Sequence, residues 1–156
     1  MFKLISAAVM GMFVSTFLFK IVLIDGPAMN PTLESGDRII VSVQPFEPKP
    51  GDIILFEPAY EGAMWYIKRV IAVEGQTVDI NFEINEVYVN GVMLDEPYIL
   101  EPTRHRGDVE FPVTVPEDCV FVLGDNRNDS DDSRRQKVGM VHKDSIIGKM
   151  IKKVGE

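Results

Sequence analysis

The chain has 156 residues, with 24 Asp and Glu against 16 Lys and Arg and a net charge of −8 at pH 7, room for one domain with a modest core besides an apolar N-terminal stretch. Lys3 and Lys20 are the only charged residues among the first twenty, so the remainder is more acidic still, which excludes the polybasic surface that nucleic acid requires. The single cysteine, Cys119 in Asp118-Cys119-Val120-Phe121-Val122, excludes an intramolecular disulfide and reads as a small core residue.

Leu4 to Phe19 carries no charge, and the apolar run continues past Lys20 to Ile24, 21 positions in all. That is long enough for one membrane-spanning helix, with the lysine snorkelling to the interface. At about 1.5 Å per residue the uncharged part alone falls short of a ~30 Å hydrocarbon layer, so flanking residues or local thinning must supply the rest. A cleaved secretory signal would close on a small-x-small pair, whereas this run closes on Ile24-Asp25-Gly26-Pro27. Lys3 and the amino terminus favour a cytoplasmic start. The expectation is an anchor over residues 1–23 and an extracytoplasmic β-rich domain over residues 24–156.

Beyond the anchor come short apolar runs bounded by turn residues: Arg38 to Val43, Asp52 to Phe56, Met64 to Val73, Glu86 to Val89 and Cys119 to Leu123. They predict a mostly antiparallel β domain. Asn90-Gly91, set between Val87-Tyr88-Val89 and Val92-Met93-Leu94, predicts a two-residue hairpin turn, because both turn positions need positive φ. Glu101 to Val109, with Pro102, Arg104, His105, Arg106 and Gly107, reads as an exposed loop. There is no repeat, low-complexity tract, P-loop or dinucleotide fingerprint.

His105 and His142 are isolated from each other and from any cysteine pair, so neither a metal site nor a Ser-His-Asp triad is expected. Asp125, Asp129, Asp131 and Asp132 resemble a calcium loop only loosely. Counted from Asp125, the sixth and twelfth positions are Ser130 and Gln136, where an EF-hand needs Gly and Glu. Lys68 is the more informative residue. Alternation along its strand places Tyr66, Lys68 and Val70 on one face and Ile67 and Arg69 on the other. A lysine in an apolar strand can act as a general base if desolvation lowers its proton affinity by roughly three pH units, about 4 kcal/mol. Snorkelling from a half-exposed strand is the alternative reading of the same residue.

Gly26-Pro27-Ala28-Met29-Asn30-Pro31-Thr32-Leu33, Gly36-Asp37, Gly51-Asp52-Ile53-Ile54-Leu55-Phe56, Ile67-Lys68-Arg69-Val70, Val89-Asn90-Gly91 and Gly124 to Arg134 follow one another in an order and spacing that resemble bacterial type I signal peptidases of peptidase family S26. The resemblance covers nearly the whole chain and ends at Ile147-Gly148-Lys149. It implies a signal-peptidase-like antiparallel β domain behind one N-terminal transmembrane helix, held in the bacterial plasma membrane as a single-pass protein. It also implies removal of signal peptides from secretory precursors by a Ser-Lys dyad, with no cofactor. Position 28 would be the nucleophile, Lys68 the general base and Ser130 the hydroxyl that orients the lysine, while Asp132 and Arg134 would form the ion pair that holds their loop. The pockets for small residues before the scissile bond would be lined by Ile24, Met29, Leu33, Tyr66 and Ile67, with Val22 in the second pocket. The oxyanion hole would use the backbone N–H of residue 28, with Gly26 where some relatives supply a hydroxyl.

Alanine at position 28 has neither a lone pair to attack a carbonyl nor a proton for Lys68 to remove, so this chain is expected not to cleave peptides by that route. Ser35 and Ser42 lie well past the loop, and a displacement of even 1 Å can cost about a hundredfold. Since Lys68, Ser130, Asp132 and Arg134 are all present, the pattern favours a deliberate Ser→Ala exchange. The alternative is a natural non-catalytic relative that binds extended peptides as a chaperone or assembly factor. The self-cleaving domain of LexA-like repressors shares the Ser-Lys chemistry, yet a DNA-binding segment is replaced here by the apolar run and an acidic remainder.

Overall fold

The computed structural model describes residues 18–155 except 61 and 63. The first half of the chain supplies β1 (Phe19–Leu23), β2 (Arg38–Ser42), β3 (Ile53–Phe56), β4 (Tyr66–Val73) and β5 (Thr77–Asn81). The second half supplies β6 (Glu86–Val89), β7 (Val92–Met93), β8 (Val113–Thr114), β9 (Cys119–Leu123), β10 (Val141–His142) and β11 (Ile146–Lys153), with a short 3-10 turn at Lys143–Ser145. All pairings are antiparallel, in a seven-stranded sheet ordered β1-β2-β11-β3-β4-β9-β10 and a four-stranded sheet ordered β7-β6-β5-β8. The expected mostly β architecture is what the chain adopts.

Local sequence explains the elements. β2, β3 and β9 are rich in Ile, Val, Leu and Phe, which pack well on a pleated surface. The hairpin predicted at Asn90-Gly91 joins β6 to β7, with φ of 52° and 75° at the two turn residues and Val89 opposite Val92. β9 is buried on both faces, which is why it reads as an unbroken apolar run. Phe121 and Leu123 pack with Val78, Ile80 and Val87 of the smaller sheet, whereas Val122 packs with Ile54, Phe56 and Val70. A third cluster joins Ile24, Met29, Leu33, Ile39, Val41 and Leu55. Cys119 is partly buried at the margin of the first cluster rather than within it.

The expected anchor needs a correction at its end. Phe19–Leu23 is not helix but strand β1, in register with β2 from Phe19 opposite Ser42 to Leu23 opposite Arg38. Apolar β-branched residues serve a sheet as readily as a bilayer, and the backbone of β2 supplies the hydrogen bonds. Residues 1–17 of that expected segment lie outside the described residues. Among the described residues no helix is long and apolar enough to cross a membrane. The predicted loop Glu101 to Val109 is irregular and mostly exposed, except for buried Thr103.

Candidate active site

Lys68 is carried by β4, between β3 and β9, with Ile54 as its cross-strand neighbour. It is 4 % exposed. Its Nζ donates to the Ile67 carbonyl at 3.0 Å and lies 4.8 Å from the centre of the Tyr66 ring. Burial lowers its pKa to about 8, against the opposing pull of Asp132, Asp131 and Asp125, which favour the charged amine. A primary amine in this state is substantially neutral near pH 8. The Tyr66 hydroxyl meets the Tyr60 hydroxyl at 2.5 Å, and burial together with that contact raises its pKa.

Position 28 lies in the loop between β1 and β2; contrary to expectation, this loop also holds Ser35, whose Oγ accepts the Gly26 N–H at 3.4 Å. The loop is tied back on itself by Ile24 N–H to Asp37 O, Asn30 N–H to Pro27 O and Leu33 N–H to Met29 O, at 2.8, 3.0 and 2.9 Å. Met29 and Leu33 are fully buried and pin it to the third apolar cluster. Among the described residues no acceptor takes the Ala28 N–H. That donor is therefore free for an incoming oxyanion.

The segment 124–134 brings the remaining groups. Leu123 pairs with Arg69, so the chain leaves β9 level with Lys68. A Cβ on Gly124 would stand 2.2 Å from Ser130 Oγ and 2.5 Å from the Ala28 carbonyl oxygen, so only glycine lets these two positions approach. Asp132 and Arg134 form the ion pair expected of them, with Nε and Nη2 donating to the carboxylate at 2.8 Å each. Asp132 also accepts the Gly124 N–H at 3.1 Å, and Arg134 donates to the carbonyls of His105 and Arg127. Among the described residues Ser130 Oγ is buried without a hydrogen-bond partner, and no bond joins it to Lys68.

Ala28 and Lys68 line one cavity of about 640 Å³. Val22, Ile24, Met29, Tyr66 and Ile67 line it too, while Leu33 lies beneath in the core. Ser130 faces a second, polar cavity of about 390 Å³, and Asp131 borders both. Leu55, Met64 and Trp65, not expected from the sequence, also line the first cavity. Two buried ion pairs are likewise unexpected: Arg69 forked onto Asp125 at 2.8 and 2.7 Å, and Arg127 paired with Glu96. The charged residues within Asp125-Asn126-Arg127 were the available signal, since buried charges need partners. Among the described residues no group of His, Cys, Asp and Glu is placed to hold a metal ion.

The family model described as "Signal peptidase, peptidase S26" matches residues 1–154. A probable signal peptidase I-1 of Synechocystis sp. is 40% identical over 93% of this chain and 76% of its own length. Signal peptidase I of Bacillus licheniformis is 36% identical over 93% of this chain and 81% of its own. The crystal structure of a signal peptidase I from Enterococcus faecalis V583 superposes with a TM-score of 0.55 at 33% identity, covering 68% of this chain and 98% of that one.

Proposed function

Because the chain belongs to the signal peptidase family, peptidase S26, we propose that it is the scaffold of a membrane-anchored serine endopeptidase that removes signal peptides from secretory precursors, held inactive by Ala28. The observation that carries this reading is a buried lysine with depressed proton affinity in the same apolar cavity as position 28. With serine at 28, neutral Lys68 would take the hydroxyl proton as the oxygen attacks the scissile carbonyl carbon. The free N–H of residue 28 would receive the oxyanion. The protonated amine would return its proton to the leaving amine, and a water activated by the same lysine would release the acyl group. Ser130, whose buried hydroxyl lacks a partner, would accept from the amine and aim it.

The apolar walls from Ile24, Met29, Tyr66 and Ile67 suit the small side chains that precede the cut. Residues 1–17 would form most of the single-pass anchor in the bacterial plasma membrane, with the amino terminus cytoplasmic and the β domain outside. Intact Lys68, Ser130, Asp132 and Arg134 favour a single Ser→Ala exchange in an otherwise complete site.

The test is reconstitution. The Ala28→Ser protein in detergent is expected to process a secretory precursor after a small-x-small sequence, and Lys68→Ala on that background to abolish cleavage. A folded Ala28→Ser protein that leaves a panel of precursors uncut would establish the non-catalytic reading instead. The unaltered chain is expected to bind a synthetic signal peptide without cutting it. Trp65, its single tryptophan, lines the cavity half-exposed and reports binding as a blue shift.

A further inference from the structure

Asn126 lies just past β9 and touches both peptide groups that flank position 28. Its backbone N–H donates to the Ala28 carbonyl at 3.1 Å, and its side-chain Nδ2 donates to the Pro27 carbonyl at 3.2 Å. The Pro27 oxygen also takes the Asn30 N–H, so one carbonyl anchors the loop from within and from outside. Asn126 is itself immobilised. Its neighbour Asp125, with no exposed surface, takes the Arg69 fork and the Thr32 hydroxyl at 2.5 Å, while Gly124 is pinned by Asp132. Arg69 directly follows Lys68 on β4 and is stacked 4.0 Å over Tyr98. The tripeptide 124–126 therefore ties position 28 to the strand of Lys68 and to the loop of Ser130.

We propose that Asn126 is a positioning residue of the peptidase reaction: by holding the carbonyls of residues 27 and 28 it fixes the direction of the side chain and N–H of position 28 relative to Lys68. Its donors are both spent on the carbonyls of the loop. This inference rests on the proposed function for its kinetic consequence, but the restraint itself exists in the chain as it stands.

The test uses the full chain in detergent. On the Ala28→Ser background, Asn126→Ala is expected to lower kcat by roughly thirtyfold with KM within twofold, since displacements below 1 Å carry effects of that order. Asn126→Asp, which keeps the shape but turns an acceptor toward Pro27 O, is expected to do the same. In the unaltered Ala28 chain, Asn126→Ala should leave signal-peptide affinity by Trp65 emission within twofold. Losing one hydrogen bond should speed amide exchange at Asn30 and Leu33 about tenfold, with β4 and β9 amides unchanged. Cleavage within threefold of the parent overturns the proposal. Parallel losses of melting temperature, affinity and kcat overturn it too, by assigning Asn126 a purely structural role. Should Ala28→Ser itself cleave nothing, the proposed function fails separately. The exchange measurement then decides the restraint alone, and unchanged exchange at Asn30 and Leu33 refutes it.

Discussion

Replacing Lys68 by methionine should make the protein more stable at neutral pH, and by an amount that depends on pH in a defined way. In the unfolded chain the amine keeps its proton to about pH 10.5, whereas in the folded chain burial releases it near 8. A fall of that size corresponds to about 3 kcal/mol, at about 1.4 kcal/mol per pH unit. Between the two values the unfolded state binds more protons, so the native state gains stability as pH rises, and its burden is complete below pH 8. Methionine has similar length and no charge, but it leaves the Ile67 carbonyl without its donor, which costs about 1 kcal/mol. The net expectation is a gain of about 2 kcal/mol at pH 7 that shrinks through pH 8 to 10.5 and ends slightly negative. Urea unfolding of both proteins in detergent, followed by Trp65 emission, measures it. Taking the difference between them cancels the phenols and the Cys119 thiol, whose pKa values are also shifted. Equal stability at pH 7 with a flat difference up to pH 10 would refute a desolvated Lys68.

The same titration governs catalysis once serine is restored. kcat/KM of Ala28→Ser should rise with pH along a limb of apparent pKa about 8, because only the neutral amine accepts a proton, and a limb near 10 would mean a solvated lysine. Gly124→Ala should cost about 1–3 kcal/mol by overpacking, since its methyl meets Ser130 Oγ and the Ala28 carbonyl well inside contact distance. It should also weaken Ala28→Ser cleavage further than its loss of melting temperature explains. Asp125→Ala leaves the Arg69 guanidinium, 12% exposed, without its carboxylate; a loss of about 3–5 kcal/mol in urea unfolding is expected, and a loss below 1 kcal/mol would mean that the pair is solvated.

The sequence reveals some of these elements far better than others. β6 and β9 are readable to the residue, because turn formers bound them and their apolar runs are short. β1 is not, since an apolar run ending in Phe19–Leu23 satisfies lipid and sheet alike until a partner strand is known. β11 is hidden differently. Its three lysines and one glycine interrupt the apolar pattern of a strand, yet it lies between β2 and β3. Lys149 reaches Asp52 at 2.6 Å and Lys153 reaches Asp37 at 2.7 Å, while Gly148 leaves room for the Ser42 carbonyl. In the site, Lys68 stands out only through the resemblance, because alternation alone allows a snorkelling lysine. Asn126 lies within the Gly124 to Arg134 motif, but nothing there marks its contacts, since they go to backbone carbonyls that any sequence presents.

β1 also bears on how copies of the molecule stay apart. Among the described residues it is the outer strand of the seven, with Phe19, Ile21 and Leu23 exposed and Lys20 its single charge. Proteins ordinarily guard such an edge with charge, proline or a bulge against pairing with another chain. Here the lysine, held over Trp65, is the only guard on the strand itself. Left uncovered, that edge is a template for strand-to-strand aggregation with a second copy of the chain.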